Sequence, residues 1–329
     1  MLKYILKRIG ISLLILLGVS FILYALLRCM PTSFIDTKII SLATQGTTVT
    51  EEFKQAMYKA YGLDGNIVQG YFSWLWNILH LDFGKSFISQ REVLSEIFKP
   101  DRVGTSFAVA AIATVFEFLI AIPLGITAAT HQYSIRDYVV TVLVMIGISL
   151  PSFFFGQVLK DLFANKLGWF PVSGMLDLNI TYANGFEKFL GYLHHMFVPI
   201  LTVVILSIGG RMRTTRTNML EVMNCDYIRT ARAKGLGEGK VIYKHAFRNT
   251  MIPVVTSLAG LIPSLFSGAM ITEQVFGLEG IGKYALNAMT QGDIPVIMTY
   301  NMFLAALSVM GVLLADLMYG IVDPRVKLA

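Results

Sequence analysis

Residues 105–129 read TSFAVAAIATVFEFLIAIPLGITAA, and the only charge in that run is Glu117. A helix rises ~1.5 Å per residue, so a stretch of this length crosses the ~30 Å hydrocarbon core of a bilayer. A soluble domain would put charge on the outward face of such a helix; here that face is apolar as well. The run therefore predicts a membrane span.

Five further segments satisfy the same rule on either side: residues 9–27, 138–163, 197–210, 253–271 and 295–321. The fourth span, 197–210, is short as written and is expected to begin earlier, near Leu190. Pro123, Pro151, Pro199, Pro253, Pro263 and Pro295 lie in or at the ends of these spans. In lipid a proline is tolerated where neighbouring helices or water satisfy the freed carbonyls, so kinked helices around a cavity are predicted. Over all 329 residues, 15% are charged and 55% hydrophobic, against about 25% charged in soluble domains. The fold class expected is all-α and polytopic, with about six transmembrane helices.

Lysine and arginine set the orientation. Lys3, Lys7, Arg8, Arg136, the basic stretch 211–248, Arg325 and Lys327 fall on one side. The loops 168–194 and 272–294 carry only Lys188 and Lys283. By the positive-inside rule both termini are cytoplasmic and 29–102 is external. The net charge of +6 is thus a membrane signature and not a nucleic-acid one. Cys29 and Cys225 fall on opposite sides and cannot pair. The N-terminus resembles a signal peptide, but its apolar run is too long and no cleavage site follows, so it reads as a retained signal anchor. Lys3, Tyr4, Lys7 and Arg8 lead into it as a short interfacial helix. Three parts follow: 1–28, an interfacial segment and first span; 29–102, an external helical element; and 103–329, the transmembrane core with a cytoplasmic loop at 211–250.

The external part is folded and not a linker. Residues 48–51 have capping-box spacing, and Phe53, Ala56, Met57, Ala60 and Tyr61 repeat at helical spacing up to Gly62. A second stripe follows at Val68, Tyr71, Phe72, Leu75, Trp76 and Leu79. Apolar stripes are generally packing faces, so a lid on the membrane domain is expected. A docking surface for a delivery partner is compatible with it.

Between the fourth and fifth spans, residues 226–235 read DYIRTARAKG and residues 240–249 read KVIYKHAFRN. A plain connection needs only a few residues. This one is long, basic and helix-permissive, interrupted by Gly235, Gly237 and Gly239. It predicts a helix, a glycine turn and a second helix forming a rigid knob, with alanines that let another backbone approach.

At these residues the chain resembles the "EAA" loop of bacterial ABC importer permeases. Arg229, Thr230 and Ala231 stand at the Glu-Ala-Ala positions and Gly235 at the glycine. The RTARAKG form is similar to the oligopeptide/dipeptide/nickel subfamily. The likeness extends to YGLD at 61–64, LDFGKS at 81–86, GWFPVSG at 168–174, VFGLEGIG at 275–282 and DPR at 323–325, which resemble its B-type subunit. The chain departs at 28–33, RCMPTS, where the family often has a Pro-Gly-Asp-Pro-like turn.

The resemblance implies a type I ABC importer permease in a bacterial plasma membrane. Its partners would be a second homologous permease, two cytoplasmic ATPase subunits and an external solute-binding protein. The knob would be a coupling helix, and only differential contact with two ATPase states lets it switch the pathway. Gly235 would serve the turn, Ala231 close approach, and Arg229, Arg232 and Lys234 docking; Thr230, His245 and Arg248 complete the expected coupling set. No cofactor is expected on this chain; ATP and Mg belong to the ATPase subunits. The cargo implied is a short peptide, with nickel or another small chelate as the alternative within the family.

Other signals are weaker. GLGEGK at 235–240 is one residue short of a phosphate loop and lacks its magnesium-binding hydroxyl. His194 and His195 are adjacent, do not share a helix face and have no Cys or carboxylate cluster beside them, so a membrane-interface pair is expected and no metal. Hydrolase motifs are absent, and the chain is not expected to be an enzyme. Glu117 at mid-span is costly and should face the bundle or a wet cavity, either as a contact for a peptide amino terminus or as a structural hydrogen bond. Lys160 and Asp161 can snorkel, and Asp316 is expected to cap or pair locally. A secondary transporter would show inverted repeats and more buried ionisable groups; a scaffold would need neither kinked spans nor such a knob.

Overall fold

The computed structural model describes residues 2–29, 35, 39–40, 44, 50–60, 65–177, 180–267 and 269–322. Thr48 of the capping box, the YGLD motif at 61–64 and the tail with Arg325 and Lys327 lie outside them. The described chain is helical, with one isolated antiparallel bridge between Lys85 and Glu92.

The helices run α1 (Leu2–Arg28), α2 (Glu51–Ala60), α3 (Ile67–Leu79), α4 (Val93–Ile97), α5 (Pro100–Thr130), α6 (Ile135–Ser149), α7 (Ser152–Lys160), α8 (Gly185–Met223) and α9 (Asp226–Ala233). A short turn at Glu238–Lys240 and a π-helical segment at Val241–Ala246 lead into α10 (Phe247–Ser267). Then come α11 (Met270–Phe276), α12 (Ile281–Gln291) and α13 (Ile294–Val322). The first, second, fourth and sixth expected spans each lie within one helix, and the third and fifth are divided between helices.

Among the described residues, four helices are long and apolar enough to cross a membrane, in α1, α5, α8 and α13. A fifth crossing is added if the bent pair Gly260–Phe276 and Ile281–Gln291 is taken as one. The chain is a multi-pass membrane protein. Leu13, Leu14 and Ile22 of α1 and Val115 and Leu119 of α5 are exposed; an apolar outer face suits lipid.

Three spans depart from expectation, the fifth being divided between α10 and α11. The third is not one helix: Leu150 is extended, at ψ 137°, and so is Pro151, at ψ 136°, just before α7. A proline pushes the residue before it out of the helical region, so the span breaks between α6 and α7 instead of merely kinking. The fourth is longer than expected. It begins at Gly185, where Asn184 Oδ1 accepts from Glu187 N at 2.9 Å and Glu187 Oε2 accepts from Ala183 N at 2.9 Å, a reciprocal cap.

At its other end α8 runs through Arg211 to Met223, because nothing in 211–223 breaks a helix. Thr214 and Thr215 return their hydroxyls to the carbonyls of Gly210 and Arg211 at 3.0 and 2.9 Å. The helix is about 58 Å long at ~1.5 Å per residue, nearly twice the hydrocarbon thickness. The first part of the expected 211–250 loop is therefore the protruding end of this helix.

Helix α5 is the axis of the bundle and packs along α8. An added Cβ on Gly125 would lie 2.8 Å from the carbonyl oxygen of Met212 and 2.7 Å from Cβ of Thr215; only glycine permits that approach. Near the same end Asp137 of α6 takes a bidentate pair from Arg216 of α8, at 3.0 and 2.8 Å. Towards the other end of the bundle Val93, Ile97, Ile281, Ala285, Val296 and Tyr300 form a buried cluster. There Glu96 gathers Lys99, Arg102 and Arg91 at 2.7, 3.1 and 3.3 Å.

Within 29–102, α3 lies on α1. Tyr71 is buried, its hydroxyl 2.8 Å from Ser20 Oγ and 3.2 Å from the carbonyl oxygen of Leu17. Of the stripe expected on α3, Tyr71 and Leu75 pack inward, while Val68, Phe72, Trp76 and Leu79 are exposed. Trp74, not Trp76, joins Tyr24 in the cluster, because the Tyr71 contacts set the rotation of the helix. The LDFGKS motif ends in a tether: Ser86 Oγ donates to Asp293 Oδ2 at 2.6 Å, and Phe87 N donates to Asp293 Oδ1 at 3.0 Å.

Candidate functional site

The segment 224–246 forms the helix–turn–helix expected of it. Helix α9 ends in a Schellman turn: Gly235, at φ +76°, donates its N–H to the Arg232 carbonyl at 2.9 Å, and Leu236 N donates to the Ala231 carbonyl at 3.4 Å. The left-handed residue is almost always glycine, and the accompanying contact between Leu236 and the last turn is present.

Ile228, Ala231, Val241 and Ala246 are buried against Met219 of α8 and Ile126 and Ala129 of α5. The knob is therefore fixed to the end of the bundle by apolar packing on both arms.

This placement corrects one reason given to a predicted residue. Ala231 is 7% exposed, so its small side chain serves packing inside this chain; Ala233 is the alanine left open. Arg229, Thr230, Arg232, Lys234, Gly235 and Arg248 are exposed, and His245 is half-buried. Arg232 spans the turn to Glu238, with Nε to Oε1 at 2.8 Å and Nη2 to Oε2 at 3.4 Å. Arg229 lies 3.7 Å from Asp226, and Thr230 Oγ1 donates to the Asp226 carbonyl at 2.9 Å. Lys234 and Arg248 pair with no carboxylate among the described residues. The outward face of the knob is thus net positive, suited to an acidic cleft.

A second site lies in the middle of the bundle. A cavity of about 480 Å³ between α5, α8 and α10 is lined by Thr114, Glu117, Ser207, Arg211 and Ser264, among others. Glu117 is not a lone charge: its Oε1 accepts from Arg211 Nε at 2.9 Å, and the guanidinium sits 4.3 Å from the centre of the Phe118 ring. The partner was hidden because the fourth span was expected to stop at Gly210, which assigned Arg211 to the loop. The helix-permissive sequence after Gly210 is the signal that would have revealed it.

The adjacent histidines diverge as expected. His194 Nε2 meets the Trp169 carbonyl at 2.8 Å and His195 Nδ1 the Gly174 carbonyl at 3.1 Å. No group of three metal-ligating side chains exists among the described residues. Asp316 pairs with Arg8 at 3.2 Å, joining α13 to α1.

Sequence reasoning missed Glu273 altogether. It is fully buried, bonded to Ser106 Oγ at 2.7 Å and to Lys283 N at 2.7 Å. The only hint was the pair of glycines, Gly280 and Gly282, that follows it.

Comparison with known proteins agrees with this arrangement. Residues 121–328 match the family described as "Binding-protein-dependent transport system inner membrane component". Residues 1–110 match the N-terminal component of the same transport systems. The chain is 35% identical to the oligopeptide transport system permease protein AppB of Bacillus subtilis (strain 168), covering 99% of this chain and 100% of that one. It is 32% identical to the dipeptide transport system permease protein DppB of Escherichia coli (strain K12), covering 99% of each. Among solved structures, the inward-facing MetNI methionine ABC transporter aligns with a TM-score of 0.53, over 68% of this chain and 94% of that chain. At 16% identity that likeness is one of fold.

Proposed function

Because this chain belongs to the family of binding-protein-dependent transport system inner membrane components, we propose that it is a permease subunit of an ATP-driven importer of short peptides. It forms half of the pathway beside a second homologous permease, in a bacterial inner membrane with both termini cytoplasmic. Two ATPase subunits bind ATP and Mg, and an external solute-binding protein delivers the cargo.

The knob 226–246 is the coupling element. Its base is fixed to α5 and α8 by apolar packing, so a push on its cationic face moves those helices as a body. The same two helices line the cavity with Glu117 and Arg211, and motion of the knob thereby reshapes the pathway. Arg229, Arg232, Lys234 and Arg248 dock on an acidic cleft of the ATPase, and Thr230 and His245 complete the contact. Glu117, held by Arg211, is part of the pathway wall.

The observation that carries this reading is the closed glycine turn at Gly235 on an apolar base that leaves its charges outside. Peptide cargo rests on the likeness to an oligopeptide and a dipeptide permease.

The test is Gly235→Pro. Proline fixes φ near −65° where this turn needs +76°, and it removes the N–H that bonds Arg232. Purified in mild detergent, the wild-type chain is expected to bring down two ATPases and a second permease. Gly235→Pro should insert and retain the second permease while losing the ATPases and peptide uptake. Normal uptake by a stably inserted Gly235→Pro variant would overturn the coupling assignment.

A further inference from the structure

We propose that Glu273 is a positioning residue for transport: its carboxylate caps α12 from a neighbouring helix and latches the α11–α12 turn to α5. The proposal rests on the importer reading for its functional half and on geometry alone for its structural half.

The first turn of α12 begins at Gly280 with no cap from its own sequence, which leaves N–H groups without helical partners. Glu273 supplies what is missing. Its Oε2 accepts from Lys283 N at 2.7 Å. Its Oε1 accepts from Ser106 Oγ at 2.7 Å, and that same oxygen of Ser106 accepts from Ile281 N at 2.8 Å. One carboxylate therefore satisfies two amides, one directly and one through a hydroxyl on α5. Its oxygens lie at the end of the helix where unpaired N–H groups need an acceptor. Both Glu273 and Ser106 are 0% exposed, and a buried carboxylate is kept only where such partners hold it.

The sequence around the turn is explained by the same group. Gly280 sits at φ −102°, and Gly282 is not among the glycines with positive φ. Neither needs glycine for its backbone conformation. They need it for room: a Cβ on Gly280 would overlap the Glu273 carboxyl and the Ser106 hydroxyl, and one on Gly282 would lie 2.9 Å from Glu273 Oε2 and 3.0 Å from the Met270 backbone. The Gly-x-Gly pair is the seat of the carboxylate.

Location gives the latch its role. Ser106 stands near the start of α5 and Ile126, on which the knob packs, near its end. At ~1.5 Å per residue they are about 30 Å apart, the thickness of the hydrocarbon core. One continuous helix, with Pro123 within it, therefore joins the knob at the ATPase end to the latch at the delivery end. A loaded delivery protein that stimulates ATP hydrolysis must act through this end of the bundle, and the latch is what makes the α11–α12 turn move with α5.

The experiment uses the whole complex in lipid nanodiscs, with Glu273→Gln, Ser106→Ala and the double variant. Two quantities are read: the ratio of ATP hydrolysis with and without loaded delivery protein, and the melting temperature. For Glu273→Gln the stimulated rate should fall roughly ten-fold, the scale of one buried hydrogen bond lost, with the ratio approaching one. ATPase stoichiometry should be unchanged, since the knob is untouched. The double variant should lose less melting temperature than the two single variants' losses added together, because the two groups share one network.

Unaltered stimulation and melting in Glu273→Gln, or additive losses in the double variant, would overturn the proposal. If Glu273→Gln does not assemble, Ser106→Ala carries the same test with the carboxylate and its Lys283 bond in place. A wild-type chain that binds no ATPase would instead sink the importer reading, and the melting cycle would still decide the latch.

Discussion

The turn that ends α9 and the turn that ends α11 share one local design and are anchored by opposite chemistry. Each is a Gly-Leu pair: Gly235 at φ +76° before Leu236, and Gly277 at φ +64° before Leu278. Each leucine N–H reaches back five residues, Leu236 to the Ala231 carbonyl at 3.4 Å and Leu278 to the Glu273 carbonyl at 2.9 Å. The residue in that accepting position differs. In the knob it is Ala231, buried among Ile228, Val241 and Ala246; in the other turn it is Glu273, buried among polar groups. Local sequence closes the turn, and this one side chain decides how the turn is held. The knob keeps its charges for the surface and anchors itself with apolar atoms, while the inward-facing turn is tied down by a carboxylate.

Exchanging the two anchors should have the largest effect. Ala231→Glu would place a carboxylate among apolar side chains that offer no donor, at a cost of about 2 kcal/mol or more. Hydrogen exchange should then show that amides 226–246 have lost protection while those of α13 keep theirs. Undiminished protection in the knob would mean that its base is looser than the packing around Ile228 implies.

A smaller contrast lies in the glycines themselves. Alanine at either position must adopt positive φ, which costs roughly 1 kcal/mol. At Gly235 nothing lies within 4 Å of the added Cβ, whereas at Gly277 it would lie 3.2 Å from Cβ of Ser173. Gly277→Ala should therefore lower the melting temperature more than Gly235→Ala. Equal losses would show that the loop carrying Ser173 yields freely.

These contrasts also explain what was readable from sequence. The apolar spans and the Gly235 turn are local properties, a composition and a backbone conformation, and both stand in the structure. The break at Leu150 was half visible: Pro151 marked a disturbance, but whether a proline kinks or ends a helix depends on what satisfies the freed carbonyls. Arg211 was misplaced because a span was equated with its apolar core, although α8 continues beyond the lipid. Ala231 was read as outward because a single sequence does not set the rotation of a short helix. Glu273 left least trace. A carboxylate just past an apolar run reads as solvated, and its burial is decided by Ser106, more than 160 residues earlier in the chain.

The smallest effect expected is at Arg232, and it bears on what the knob surface is for. The Arg232–Glu238 pair is bidentate, but its side chains are 39% and 61% exposed. Exposed pairs contribute between nothing and about 1 kcal/mol, since water and salt screen them and two long side chains lose freedom. If the pair were there to hold the turn, Arg232→Ala would lower the melting temperature noticeably. Gly235 and the buried base already do that work, so the change in stability should be within about 0.5 kcal/mol. The effect should appear in association: weaker recovery of the ATPase, with the deficit shrinking as salt is raised and the wild-type attraction is screened. A variant that melts clearly lower yet recovers the ATPase normally would reverse the assignment, making Arg232 a brace of the turn and leaving the docking charge to Arg229, Lys234 and Arg248.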